Sequence, residues 1–348
     1  MTRKFLLLAS GFALAAALAS TAHAKPSLLV DCDAVKDNDI QAAVDGAAPG
    51  DTVFISGTCN QDVTITKDDI TLSGNEAEAA CDKGDPSVSA AGTIDGTVTV
   101  HGVRAKIEHL VITGGGAGVL VTNRADARLT CNDISDNQES GVNVIRTSNA
   151  VLTDNTLSSN GQRGFEKPFV FFDVGLFLGT ASSVESNGNT YEDNQYAAIE
   201  SDRQSGFRNA RFLPRESGHP PIAAEKDTII QKGNDPTTGS CNTDFNGPVA
   251  IAVFNNGLVD LKHADVCGGI DVSVNSTFRI DDGGGTVIGN VSSGRGSWVR
   301  IRDRSGLGDG RLTTFNGTLN CSNFSGTFGS NVKCEQTCSG AIPVTCAP

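Results

Sequence analysis

The sequence has one methionine, one tryptophan and five histidines in 348 residues. It also has few runs of long, helix-forming side chains, and nothing past residue 24 stays apolar long enough to span a bilayer. A helical bundle and a membrane-inserted chain are therefore poor fits. The histidines never fall near cysteines at zinc-ligand spacing, which argues against a Cys/His metal centre. For calcium there is no D-x-D-x-D-G loop and no glycine-aspartate nonapeptide array. "GGGAG" at 114–118 leads into no helix pattern, so it reads as a turn rather than a phosphate cradle. Basic charge is scarce as well. The first 24 residues hold two bases and no acids, leaving 40 acids against 25 bases, a net charge of −15. That balance disfavours nucleic acid and anionic membranes as partners.

What is abundant is glycine, 40 residues of it, set among alternating Val, Ile, Leu and Thr, the composition of an all-β chain rich in turns. The opening residues carry Arg3 and Lys4, an apolar run from Phe5 to about Leu18, and the small-x-small sequence Ala22-His23-Ala24. This predicts a secretory signal peptide over 1–24 and a secreted mature protein in the periplasm, the medium or the cell surface. Leu29-Val30-Asp31 ahead of Cys32 lacks the small residue a lipoprotein signal requires. All ten cysteines follow the signal, so disulfides are expected. Sequence-local pairing joins Cys32 to Cys59, Cys241 to Cys267, Cys321 to Cys334 and Cys338 to Cys346. Cys81 and Cys131 are then left for each other.

The stretch "CNDISDNQESGVNV" at 131–144 looks at first like a metal-binding loop, but its text recurs. Asn132 aligns with Asn155, Ile134 with Leu157, Asn137 with Asn160 and Gly141 with Gly164, all at an offset of 23 residues. Gly118 lies 23 residues before Gly141, and Asn189 and Asn194 lie 34 beyond Asn155 and Asn160. The extra eleven match the length of an insertion, "FEKPFVFFDVG". Asp133 and Asp136 have Thr156 and Ser159 as equivalents, so the acids are dispensable to the repeat and the asparagines are not. A 23-residue period of short alternating strands predicts coils stacked about 4.8 Å apart. Val119, Leu129 and Ile134 would face inward, asparagines would stack in ladders, and glycine would supply positive φ at the turns. "DNDIQAAVDGAAPGD" predicts a capping helix with Ile40, Ala43, Val44 and Ala47 on one face, stopped by Pro49-Gly50.

"IQAAVDGAAPGDTVFISGTC" and the pattern of 118–164 resemble the right-handed parallel β-helix, pectate-lyase-like superfamily. The resemblance implies a right-handed parallel β-helix over 25–348 as a single domain. A cap and first strands would occupy 37–60 and regular coils 61–200. A loop excursion over 200–245 would precede further coils over 246–335 and a disulfide-pinned tail over 336–348. The superfamily's association with polysaccharides suggests a polysaccharide partner. Its catalytic motifs match poorly. "RFLPRES" has arginines on either side of Pro214 at offsets unlike those of pectate lyases. Asn242-Thr243-Asp244, Asp281-Asp282 and Arg300-Ile301-Arg302 follow the order of polygalacturonase elements, but the G-H-G element is missing.

Function is expected where the period breaks. Phe165–Leu178 holds five phenylalanines. Phe169, Phe171 and Phe172, with Tyr196, would form a platform for sugar rings, or else fold onto the coil as core. Farther on, Arg203, Arg208, Arg211 and Arg215 fall within thirteen residues of an acidic protein. Guanidinium groups at this density suit uronate carboxylates, with one arginine removing a proton in a β-elimination. Glu200 and Asp202 would hold a cation, with Ca2+ suited to their oxygens. The alternative is that the arginines pair with Glu200, Asp202 and Glu216 and pin the loop. No cofactor is otherwise required. Two readings follow. One is an enzyme that binds or processes an extracellular polysaccharide, by lyase or hydrolase chemistry. The other is a non-catalytic β-helix that binds glycans or partners or serves as a surface scaffold. The N-x-S/T sites at Asn275, Asn290, Asn316, Asn320 and Asn323 read as turn residues.

Overall fold

The computed structural model describes residues 27–33, 39–74, 92–161, 173–202, 204–209, 227–230, 241, 249–261, 264–273, 275–281, 286–294, 297–302, 314–316, 319–320 and 334–337. The expected signal peptide, Cys81 and the tail beyond residue 337 lie outside them. Among the described residues no helix is long and apolar enough to cross a membrane.

The chain winds into a parallel β-helix with three faces. The first face stacks Asp126–Thr130, Asn149–Thr153, Ser183–Asn187, Gly206–Asn209, Leu258–Leu261 and Thr277–Asp281. The second stacks Asp133–Ser135, Thr156–Ser158, Thr190–Glu192, Asp227–Ile230 and Ala264–Cys267. The third stacks Val142–Val144, Val174–Leu178, Ala197–Ser201, Val249–Val253 and Gly269–Val272. Every pairing is parallel, so each strand finds its partners one coil above and below. Alternation puts Val119, Leu129 and Ile134 in one continuous core, all fully buried. At the N-terminal end the helix Ile40–Gly46, capped by the Asp39 side chain accepting from the Ala42 N–H, lays Ile40 and Val44 over the open core.

Amide side chains set the corners. Between the first and second faces, Asn132 Nδ2 donates to Asn155 Oδ1 at 2.9 Å, and Asn155 Nδ2 to Asn189 Oδ1 at 2.9 Å. The Asn189 N–H ends the column on Asp227 Oδ1 at 2.7 Å. Between the second and third faces, Asn137 donates to Asn160 at 2.9 Å and Asn160 to Asn194 at 3.0 Å. Each ladder asparagine follows a residue with positive φ. These are Cys131, Asp154 and Gly188 at one corner and Asp136, Ser159 and Asp193 at the other. Glycine, expected to supply this conformation, does so only at Gly188 among these six. The amide bonds hold the rest in a geometry that costs about 1–2 kcal/mol per residue.

Glycine is required instead beside the second ladder. A Cβ on Gly118 would lie 2.7 Å from Asn137 Nδ2, and one on Gly175 2.6 Å from Asn194 Nδ2. The register pairs Val142 with Leu176 and so places Gly141 against Gly175, not Gly164 as the 23-residue offset suggested. The added residues enter between Gly161 and Asp173, ahead of this strand. Most of the expected excursion over 200–245 lies outside the described residues. Within it, Gly206–Asn209 and Asp227–Ile230 continue the first and second faces.

Cys32–Cys59 and Cys241–Cys267 are bonded as expected, with Cα separations of 5.2 and 5.3 Å. Cys131 is also disulfide-bonded, while its expected partner, Cys81, lies outside the described residues. Asn275 and Asn290 lie at turns, whereas Asn316 and Asn320 end short strands.

Removing the Asn155 side chain strands its neighbours' buried donors and acceptors. Asn155→Ala is expected to lower unfolding stability by about 3 kcal/mol in denaturant titration. Replacing Asp133 and Asp136 by the Thr and Ser of the next coil is expected to change it by no more than about 0.5 kcal/mol.

Candidate functional site

The third face carries the least ordinary chemistry. Its inward side chains, Leu176, Ile199, Ile251 and Ile270, belong to the main core. Alternation therefore turns Phe177, Glu200, Ala252 and Asp271 outward in one column across successive coils. The outer side is apolar too. Val174, Phe177, Ala197, Val249 and Ala252 form a second cluster, with Ile145 and Phe254 packed against it.

Glu200 stands in the middle of this cluster. It is 0% exposed, and among the described residues neither carboxylate oxygen has a hydrogen-bond partner. Burial, with the nearby Asp202 carboxylate adding to it, pushes its pKa well above the ordinary 4.5. Asp271, one coil beyond Ala252, is also raised by burial. Tyr196 is 38% exposed, one of two large apolar side chains so exposed among the described residues. Burial of its ring, then the Glu200 and Asp271 charges, pushes its phenol up to about 12. The second asparagine ladder places this group. Asn194 Nδ2 is anchored on the Leu157 carbonyl at 2.9 Å, and the Tyr196 N–H donates to the Asp173 carbonyl at 2.8 Å.

The expected site residues do not all converge. Arg208 is exposed on the first face, in register between Glu185 and Asp260. The turn from Asp202 to Ser205 carries the chain from the third face to the first, so Arg208 does not share a face with Glu200. Its position suits a charge column along the first face, where Asp260 also pairs with Arg279 at 2.7 Å. Asp281, Arg300 and Arg302 lie on this face as well, with Asp281 opposite Arg302. Arg203, Arg211, Arg215, Phe169, Phe171, Phe172 and Asn242–Asp244 lie outside the described residues.

Glu200 and Asp202 do not fit a calcium ion, which takes about six to eight oxygen ligands. Burial holds Glu200 toward its protonated form, and Asp202 accepts from Asn255 Nδ2 at 2.7 Å. Among the described residues no three His, Cys, Asp or Glu side chains gather at metal-holding distance. Sequence reasoning missed Asp271, although "GIDV" places it opposite the core by simple alternation. It also missed Phe177 and Ala252 as the floor of the column.

The sequence matches the family described as "right handed beta helix region" over residues 36–213. The chain belongs to that family. Solved structures similar to this β-helix include an alginate lyase from Paenibacillus sp. str. FPU-7, at 13% identity and TM-score 0.46, covering 84% of this chain and 99% of that one. A second is Geobacillus virus E2 ORF18, at 13% and 0.46, covering 83% and 59%. A third is a pectate lyase, at 10% and 0.43, covering 90% and 79%. No curated protein matches the chain. Likenesses of this size do not bear on substrate or on individual residues of the β-helix.

Because Glu200's folded pKa is raised, the stability it contributes is complete below 4.5 and is lost as pH rises through the folded value. Glu200→Gln cannot ionise. Its unfolding midpoint is expected to equal the parent's at pH 4 and to exceed it at pH 8. Coincident midpoints at both pH values would show that Glu200 does not titrate as described.

Proposed function

We propose that this β-helix is an extracellular protein that binds a polysaccharide along its third face and cleaves it there. The observation that supports this is the group formed by exposed Tyr196, unpartnered Glu200 and Asp271. An aromatic ring beside carboxyls is what a sugar ring and its hydroxyls require. The formed disulfides fit an oxidising compartment, and pectate-lyase-like β-helices, which the sequence resembles, are associated with polysaccharides. Fold alone would carry no function.

The chemistry is hydrolytic. Glu200, held toward its protonated form by burial, gives its proton to the glycosidic oxygen as the bond to the anomeric carbon breaks. Asp271 takes a proton from the water that adds to that carbon. One coil separates the two residues, so their backbones lie roughly 10 Å apart. That leaves room for water between acid and base, as inversion of configuration needs. A β-elimination at the arginines draws no support from Arg208, which belongs to another face.

The complete enclosure of Glu200 favours a second reading, a β-helix that binds glycans without turning them over. Incubation with polygalacturonate, alginate and neutral and amino-sugar glycans separates the two. New reducing ends, abolished in Glu200→Gln and Asp271→Asn but kept in Arg208→Ala, are expected. Unsaturated ends lost in Arg208→Ala would instead establish the lyase route. Binding with no new ends on any polymer would leave the non-catalytic reading.

A further inference from the structure

Several charges along the first face are matched locally. Arg104 pairs with Asp69, Lys106 with Glu108, and Arg279 with Asp260 while lying over the Trp298 ring. The third face is different. Glu200 and Asp271 stand in one column with Tyr196 beside them, and no ion pair is formed there by either acid among the described residues. Glu200, fully buried and unpartnered, is short of a donor for both of its oxygens. A buried carboxyl in this position costs free energy until a donor or a cation meets it.

A uronate would meet this face with a charge of the same sign. It would drive the two carboxyls further toward their protonated forms and lose affinity in doing so. A protonated amine does the reverse. It offers three N–H donors to the two carboxyls, draws them toward their ionised forms, and meets the exposed ring of Tyr196. We infer that the third face of this β-helix takes a sugar bearing a protonated amine, a polymer of 2-amino-2-deoxyhexose, rather than the uronate polymer suggested by the arginines. The inference rests on the reading of this face as a glycan site and gives that site its substrate class.

The test is calorimetric titration of the full chain at pH 6 with three hexasaccharides of equal length: glucosamine, N-acetylglucosamine and galacturonate. The glucosamine oligomer is expected to bind at least about tenfold more tightly than the acetylated one, the gain of one charge-assisted hydrogen bond. Added salt should weaken the amine complex alone. Glu200→Gln and Asp271→Asn, each checked for an unchanged circular dichroism spectrum, should each bring the glucosamine oligomer's affinity down to that of the acetylated one. Two independent variants keep the test open if one does not fold. Equal binding of the amine and its acetylated form, or tightest binding of galacturonate, would overturn the amine assignment and leave the glycan site standing. Failure of all three to bind would overturn both.

Discussion

The side-chain amide that closes each corner on the next coil is the interaction on which the rest of this structure depends. Backbone bonds alone are equivalent at every register, and burial of one face excludes a slip of one residue but discriminates less against a slip of two. Asn132, Asn155 and Asn189 remove that freedom. Each fixes one coil to the next through its own carbonyl and amide groups, and Asp227 receives the last of them. The second column, Asn137, Asn160 and Asn194, does the same one corner on. With both corners pinned, non-glycine residues stay in left-handed conformations, and the outward column of the third face falls into line. Tyr196 and Glu200 are held by a corner whose geometry was settled two coils earlier.

The same logic decides what was legible in the sequence. Asparagines recurring at a fixed offset announced the ladders, and alternation announced the core, because both are local patterns repeated by necessity. Gly141 was matched to Gly164 because a glycine happened to fall at the period. The true neighbour, Gly175, lies beyond eleven inserted residues that add no coil. Asp227 was invisible as the end of a ladder, since it is 38 residues from Asn189 and of a different type. The strands within 200–245 were hidden by polar, proline-bearing text on either side, which reads as an excursion.

The site was half legible. Glu200 and Tyr196 were singled out, one as a cation ligand and the other beside a phenylalanine platform that lies outside the described residues. Composition drew attention to the arginines, since four in thirteen residues stand out in an acidic chain. Position in the coil matters more than density. A turn of a few residues moves Arg208 to another face, while Asp271, distant in sequence, comes into the same column as Glu200. The burial of the outer side could not be read from strands that look half-exposed by pattern. That burial makes Glu200 an acid held toward its protonated form rather than an ordinary surface carboxylate.

The central claim is that the third face, and no other, contacts sugar. Locating a bound hexasaccharide by crystallography tests it most directly. The account predicts electron density for a sugar ring against Tyr196, with the chain continuing across Ala252 toward Asp271. Density along the first face beside Arg208, with the third face empty, would contradict it.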